Sequence, residues 1–123
     1  MEDRLKYLRE KSNNLPRRPG IYIMKDRKGT VIYVGKSRSL KDRVSQYFHL
    51  SADANLKTVR MVSQVYDFET IFCDTEIEAL TLENVKIKQY TPKYNILLTF
   101  LPPAQHIVIP LTFLSFLRIT LNI

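Results

Sequence analysis

Cysteine is nearly missing from this chain: Cys73 stands alone among 123 residues. One thiol excludes an intrachain disulfide and any metal site built on cysteines, and it points to a reducing compartment. Lying in an expected strand, it reads as a buried structural thiol rather than a nucleophile. Histidine is scarce too, and its two positions, 49 and 106, are too far apart in sequence to suggest a zinc site. His49 reads as a surface residue. No internal repeat is present. The charged opening from Met1 to Lys11 carries the expectation of no signal peptide, which with the lone thiol points to the cytoplasm. Carboxylates vanish after Glu83, since all twelve lie at or before it. Long apolar runs are lacking as well. The sequence turns apolar from Thr99, but Pro110 and Arg118 interrupt that segment, so it makes a poor membrane span and no membrane is expected.

What the chain does have is positive charge. A net charge of +7 favours a polyanionic partner, with plain solubility as the simpler reading. The length suits a single domain with a modest core, and a monomer is expected.

Two β-rich segments, Gly20 to Lys25 and Thr30 to Val34, flank the polar loop Asp26-Arg27-Lys28-Gly29, the pattern of a hairpin. If Lys25 pairs with Thr30, Tyr22 lies directly opposite Tyr33. Ile21, Ile23, Ile32 and Val34 then share the other face. Gly35 is expected to end the second strand, with Lys36 in the turn. Ser39 is a good helix N-cap, with Asp42 three residues on completing a weak capping box. Leu40, Val44 and Phe48 form the inward stripe of that helix, while Arg43 and Tyr47 sit one turn apart on a neighbouring face. This places Tyr22, Tyr33, Lys36, Arg43 and Tyr47 near one end of a small sheet, and phenols among cations have few structural reasons to be there.

Glu2 to Ser12 reads as a helix with Leu5 and Leu8 on one side. Arg17 and Arg18 read either as phosphate contacts or as a solvated connector. Leu56 to Tyr66 reads as an amphipathic helix with Val59, Val62 and Tyr66 inward and Lys57 and Arg60 outward, facing either DNA or solvent. Phe68 to Asp74 is a third strand. Thr75 opens a helix to Tyr90 with the T-x-x-E box of Glu78, and Thr91-Pro92 stops it. On this helix Glu83 has Ala79, Leu80 and Ile87 as face neighbours. A carboxylate in an apolar stripe needs a positive partner, either an arginine at the core edge or a metal ion.

Pro-Gly-Ile-Tyr at 19–22, Ile-Tyr-Val-Gly-Lys at 32–36 and Leu-Lys-Asp-Arg-Val-Ser-Gln-Tyr-Phe at 40–48 closely resemble the GIY-YIG nuclease superfamily. Leu82-Glu83-Asn84 and Lys93-Tyr94-Asn95-Ile96-Leu97-Leu98 match its later motifs in order and spacing. Within it the chain resembles the UvrC family; homing and junction-resolving lineages look less similar. The resemblance runs from about Leu5 to Leu98. It implies an α+β fold, a small three-stranded and mainly antiparallel sheet flanked by helices. It also implies a metal-dependent DNA endonuclease making the 3′-side incision of nucleotide excision repair, with UvrB and UvrA as partners.

On that resemblance Glu83 is the sole protein ligand of one divalent cation, Mg2+ or Mn2+, and Tyr33 is the candidate general base. A free phenol has a pKa near 10, so Lys36, Arg43 and the metal would have to lower it. Tyr22 would hydrogen-bond Tyr33 and orient it, Arg43 would grip the scissile phosphate, and Tyr47 and Asn95 would complete the hydrogen bonding. Arg38, Lys41 and Lys57 are candidate DNA contacts. After Leu98 the chain departs from the family. Residues 1–98 are expected to be the nuclease domain. Residues 99–123 are expected to be a poorly packed, aggregation-prone tail from a truncated or frameshifted gene, an accessory hydrophobic segment being the alternative. The competing function is a non-cleaving fragment that docks DNA or UvrB.

Overall fold

The computed structural model describes residues 2–99. The expectations for the apolar tail lie outside the described residues. Two helices and a hairpin come first: α1 (Glu2–Asn13), β1 (Gly20–Lys25), β2 (Val31–Ser37) and α2 (Leu40–Tyr47). Then follow α3 (Leu56–Gln64), β3 (Asp67–Phe72), α4 (Glu76–Tyr90) and α5 (Lys93–Thr99). The sheet is antiparallel throughout, in the order β2-β1-β3. This is the expected α+β architecture.

Each face of the sheet carries its own core. On one, Tyr22, Met24, Ile32 and Phe68 pack with Leu8 of α1, Leu40 and Val44 of α2 and Met61 of α3. On the other, Ile21, Ile23 and Val34 pack with Cys73 and with Ala79 of α4, joined by the partly buried Leu82 and Ile87. Burying the strands on both faces removes most of their apolar surface from water, at about 25 cal/mol per Å2.

The hairpin register differs from the expectation. Tyr22 lies opposite Gly35, and Tyr33 lies opposite Met24, two residues from the anticipated pairing. An even shift leaves Tyr22 and Tyr33 on one face but sets them diagonally. Between Met24 and Lys25 the register slips by one, a β-bulge. That bulge carries Ile32 to the tyrosine side instead of joining Ile21, Ile23 and Val34. The loop closes with Asp26 N–H donating to Thr30 O at 2.9 Å, and Gly29 takes φ +83°. β2 also runs further than expected, so Gly35 and Lys36 lie within the strand rather than at its end. Gly35 is required there: a Cβ at this position would overlap the Tyr22 ring.

Helix ends and faces follow the sequence with three changes. Ser39 caps α2, but its hydroxyl donates to Asp42 Oδ2 at 2.8 Å instead of accepting a backbone N–H. In α4, Thr75 Oγ1 accepts from Glu78 N at 3.1 Å, while the Glu78 carboxylate accepts from Asp74 N at 2.9 Å. The core face of α3 is Met61, with Val65 just beyond the helix, rather than Val59 and Tyr66, which are exposed. Leu40, Val44 and Phe48 are buried as expected, and so is Cys73.

Candidate active site

Three tyrosines meet where β1, β2 and α2 come together. The ring centroids are 6.1 Å apart for Tyr22 and Tyr33, 5.6 Å for Tyr22 and Tyr47, and 6.4 Å for Tyr33 and Tyr47. Tyr22 is fully buried because the bare Gly35 opposite leaves room for its ring to cross the strand. Its hydroxyl lies 2.8 Å from that of Tyr47. Tyr33 meets Tyr47 edge to face. The Tyr22 hydroxyl is thus engaged by Tyr47, while Tyr33 packs against both rings. The reason is the register, which offsets the two strand tyrosines while α2 brings the third between them.

Arg43, one turn before Tyr47 on α2, lies with its guanidinium 5.5 Å from the Tyr47 ring centroid and interacts with the Tyr22 hydroxyl. Burial first, then the neighbouring Tyr47 hydroxyl, push the Tyr33 phenol well above its ordinary range; Arg43 opposes this and Glu83 adds to it. Burial raises Tyr22 in the same direction. In the protein alone, without the metal, burial outweighs the opposing Arg43 charge and the Tyr33 phenol is raised rather than lowered. Lys36 acts on Glu83.

Glu83 approaches from the opposite face of the sheet, carried by α4. Its carboxyl is half-buried, and desolvation raises its pKa; the Lys36 ammonium and a hydrogen bond from the Lys36 backbone oppose that rise. No described ion pair includes Glu83. The anticipated arginine partner is therefore not what offsets its burial. Of its expected apolar neighbours, Ala79 is buried and Ile87 packs on the core, whereas Leu80 is exposed because the face turns outward there. Glu83 and Tyr33, from different elements and different faces, are close enough to interact electrostatically at the β2 edge. A half-buried carboxylate with no ion-pair partner fits a hard divalent cation that completes its shell with water. Among the described residues no cluster of three metal-ligating side chains exists, so such a cation would hold to this carboxylate alone.

Asn95 sits elsewhere in the constellation. It is buried, its Oδ1 accepts from Val34 N at 2.8 Å, and its Nδ2 donates to Val34 O at 2.8 Å. An edge strand leaves such groups unpaired. The carboxamide completes them as a neighbouring strand would, and it does so next to Tyr33. Arg38 pairs at the surface with Glu76, 2.6 Å away, and Arg17 pairs with Asp42 at 3.2 Å. Lys41 lies on α2 and Lys57 is exposed on α3. None of Arg38, Lys41 and Lys57 lines the cleft described next.

An open cleft of about 390 Å3 lies against the tyrosines, between α2 and α3. Its lining combines Tyr33, Arg43 and Tyr47 with the uncharged Gln46, Leu50, Asn55 and Thr58. Of these last four only Gln46 was visible in sequence, its i+3 spacing from Arg43 placing it on the same helix face. Leu50 and Thr58 belong to a loop and a helix whose approach only the fold creates.

Residues 18–96 match the model of the UvrC-like GIY-YIG domain family. The UvrABC system protein C of Caldicellulosiruptor saccharolyticus is 56% identical over 91 residues, covering 74% of this chain and 15% of that protein. The same protein of Desulfitobacterium hafniense is 53% identical over 94 residues, covering 76% of this chain and 15% of its own length. The chain thus spans about 15% of the length of these curated relatives. A crystal structure of the GIY-YIG N-terminal endonuclease domain of UvrC from Thermotoga maritima, bound to its catalytic magnesium, superposes with a TM-score of 0.65. It is 36% identical, and the match covers 72% of this chain and 96% of that one.

Proposed function

The chain belongs to the family of UvrC-like GIY-YIG domains, and from that premise we propose that it is a metal-dependent endonuclease domain hydrolysing a DNA phosphodiester. The incision is the 3′-side cut of nucleotide excision repair, made in the cytoplasm on damaged DNA presented by UvrB after UvrA. The observation that carries this reading is the convergence of Tyr33, Arg43 and Tyr47 on one cleft, with Glu83 of a third element near enough to act on Tyr33. Packing alone gives no reason to bury a carboxylate without an ion-pair partner beside a phenol whose ionisation it opposes.

In this reading Glu83 holds one Mg2+ or Mn2+, which when bound supplies charge relief to the phosphoryl oxygens and the departing 3′ oxygen. Arg43 grips a non-bridging phosphate oxygen through its guanidinium fork. Tyr33 takes the proton of the attacking water. Its ionisation is opposed by burial, by Tyr47 and by the Glu83 charge. Only the last of these is cancelled when the Glu83 carboxylate is neutralised by a cation, so the proton acceptor and the metal ligand are coupled through Glu83. Tyr47 packs edge to face on Tyr33, Tyr22 anchors Tyr47 through its hydroxyl, and Lys36 steadies Glu83 in its charged form. Asn95 keeps the Tyr33 strand in register through Val34.

Nicking of supercoiled plasmid with Mg2+ or Mn2+ is the decisive assay. The wild-type chain should nick and Glu83→Gln should not, while both retain DNA binding. Equal nicking by the two would remove the metal assignment, and no nicking by the wild type would leave a fragment that docks DNA or UvrB without cutting.

A further inference from the structure

The lining of the cleft is of two kinds, a charged and phenolic part and an uncharged wall. Arg43, Tyr33 and Tyr47 offer a cation and phenols, whereas Gln46, Leu50, Asn55 and Thr58 carry no charge. A phosphate needs the first part only. Its volume of about 390 Å3 falls in the range that encloses a drug-sized molecule, more than one phosphate fills. Asn55 is already committed as the cap of α3, accepting from Lys57 N at 2.8 Å. That leaves a primary carboxamide (Gln46), a hydroxyl (Thr58) and an isobutyl group (Leu50, 37% exposed) facing the cleft. A carboxamide offers two donors and an acceptor, which matches the edge of a nucleobase, and Leu50 offers an apolar surface to a base or sugar face.

Resting on the nuclease reading, we infer that this uncharged wall is a nucleoside subsite. It holds the sugar and unpaired base of the nucleotide adjoining the scissile phosphate, with Leu50 against the ring face and Gln46 and Thr58 on polar edges. Gln46 and Leu50 thereby become substrate-binding residues, and the cleft admits one nucleoside rather than a base pair. A strand must therefore be unpaired at this position to be seated, which makes local opening of the duplex part of recognition.

The test uses the full chain and the dinucleotide thymidylyl-(3′→5′)-thymidine as probe, titrated by NMR without metal, beside analogues abasic at the 5′ or the 3′ sugar. The dinucleotide should shift the Gln46 side-chain amide and the Thr58 backbone resonances. One of the two abasic analogues should bind more weakly, and which one identifies the side of the scissile phosphate. Leu50→Ala should weaken dinucleotide binding about tenfold, and Gln46→Ala roughly three- to tenfold. Neither change should alter binding of the abasic analogue that lacks the seated base. Both side chains are exposed, so unchanged spectral dispersion will verify the fold of each variant. Equal binding of all three probes, indifference to both substitutions, or no saturable binding would overturn the subsite. Plasmid nicking by the wild type together with any of those results would sink the subsite and leave the nuclease reading standing. Base-dependent binding with no nicking would do the reverse.

Discussion

Tyr33 and Glu83 are both held in the protonated direction by burial, and each has a measurable consequence. Because Tyr33 sits above its ordinary range, the phenolate is a minor species at neutral pH. If it accepts the water proton, the single-turnover cleavage rate should climb about tenfold per pH unit through the neutral and mildly alkaline range. Tyr33→Phe should lower that rate roughly 100-fold or more and flatten the profile. A flat wild-type profile would reassign Tyr33 to packing. For Glu83 the sign runs toward acid stability. A carboxyl whose folded pKa is raised binds its proton more tightly folded than unfolded, so its contribution to stability is present below its ordinary pKa and is lost as pH rises through the folded value. Thermal melts of Glu83→Gln should therefore show a higher midpoint than the wild type near neutral pH, with the gap closing below the ordinary carboxylate range. A lower midpoint at neutral pH would mean that Lys36 outweighs the desolvation.

At the scale of elements, α5 works as a clamp on the edge of the sheet. Val34 would otherwise leave its outward N–H and C=O without partners, and Asn95 supplies both. Asn95→Ala removes two hydrogen bonds to a buried strand and should cost roughly 2–4 kcal/mol, read by denaturant unfolding. Catalysis should fall in the folded fraction as well, since β2 carries Tyr33 directly beside Val34. A stability loss well under 1 kcal/mol would show that water replaces the carboxamide without penalty. The match of Asn95 to a family motif was legible in sequence, but its partners were not, because an edge backbone group has no sequence signal. The bulge in the hairpin is a similar case: one extra residue in β2 re-sorts Ile32 between the two cores, and residue alternation alone gives no warning of it.

For the whole molecule, charge and topology set the terms of binding. With a net charge of +7, affinity for duplex DNA should fall linearly in log–log form as salt rises, by about 0.9 per phosphate contacted. Lys57→Ala, on the exposed face of α3, should reduce that slope by about 1 if Lys57 meets a phosphate; an unchanged slope makes that face a solvated one. Three strands and four of the helices were legible in the chain itself, because hairpin loops, capping boxes and apolar periodicity act over a few residues; the ends of β2 and β3 and the helix α5 were not. The identities of the phenols, Arg43 and Glu83 were legible too, since their motif spacing is local. Tertiary packing alone decided the diagonal pairing of Tyr22 and Tyr33, the role of Tyr47 as their common partner, the upward rather than downward shift of the Tyr33 phenol, and the uncharged wall of the cleft. Each of those depends on how far burial removes water and on which distant element arrives to replace it, a three-dimensional quantity that spacing along a chain does not encode.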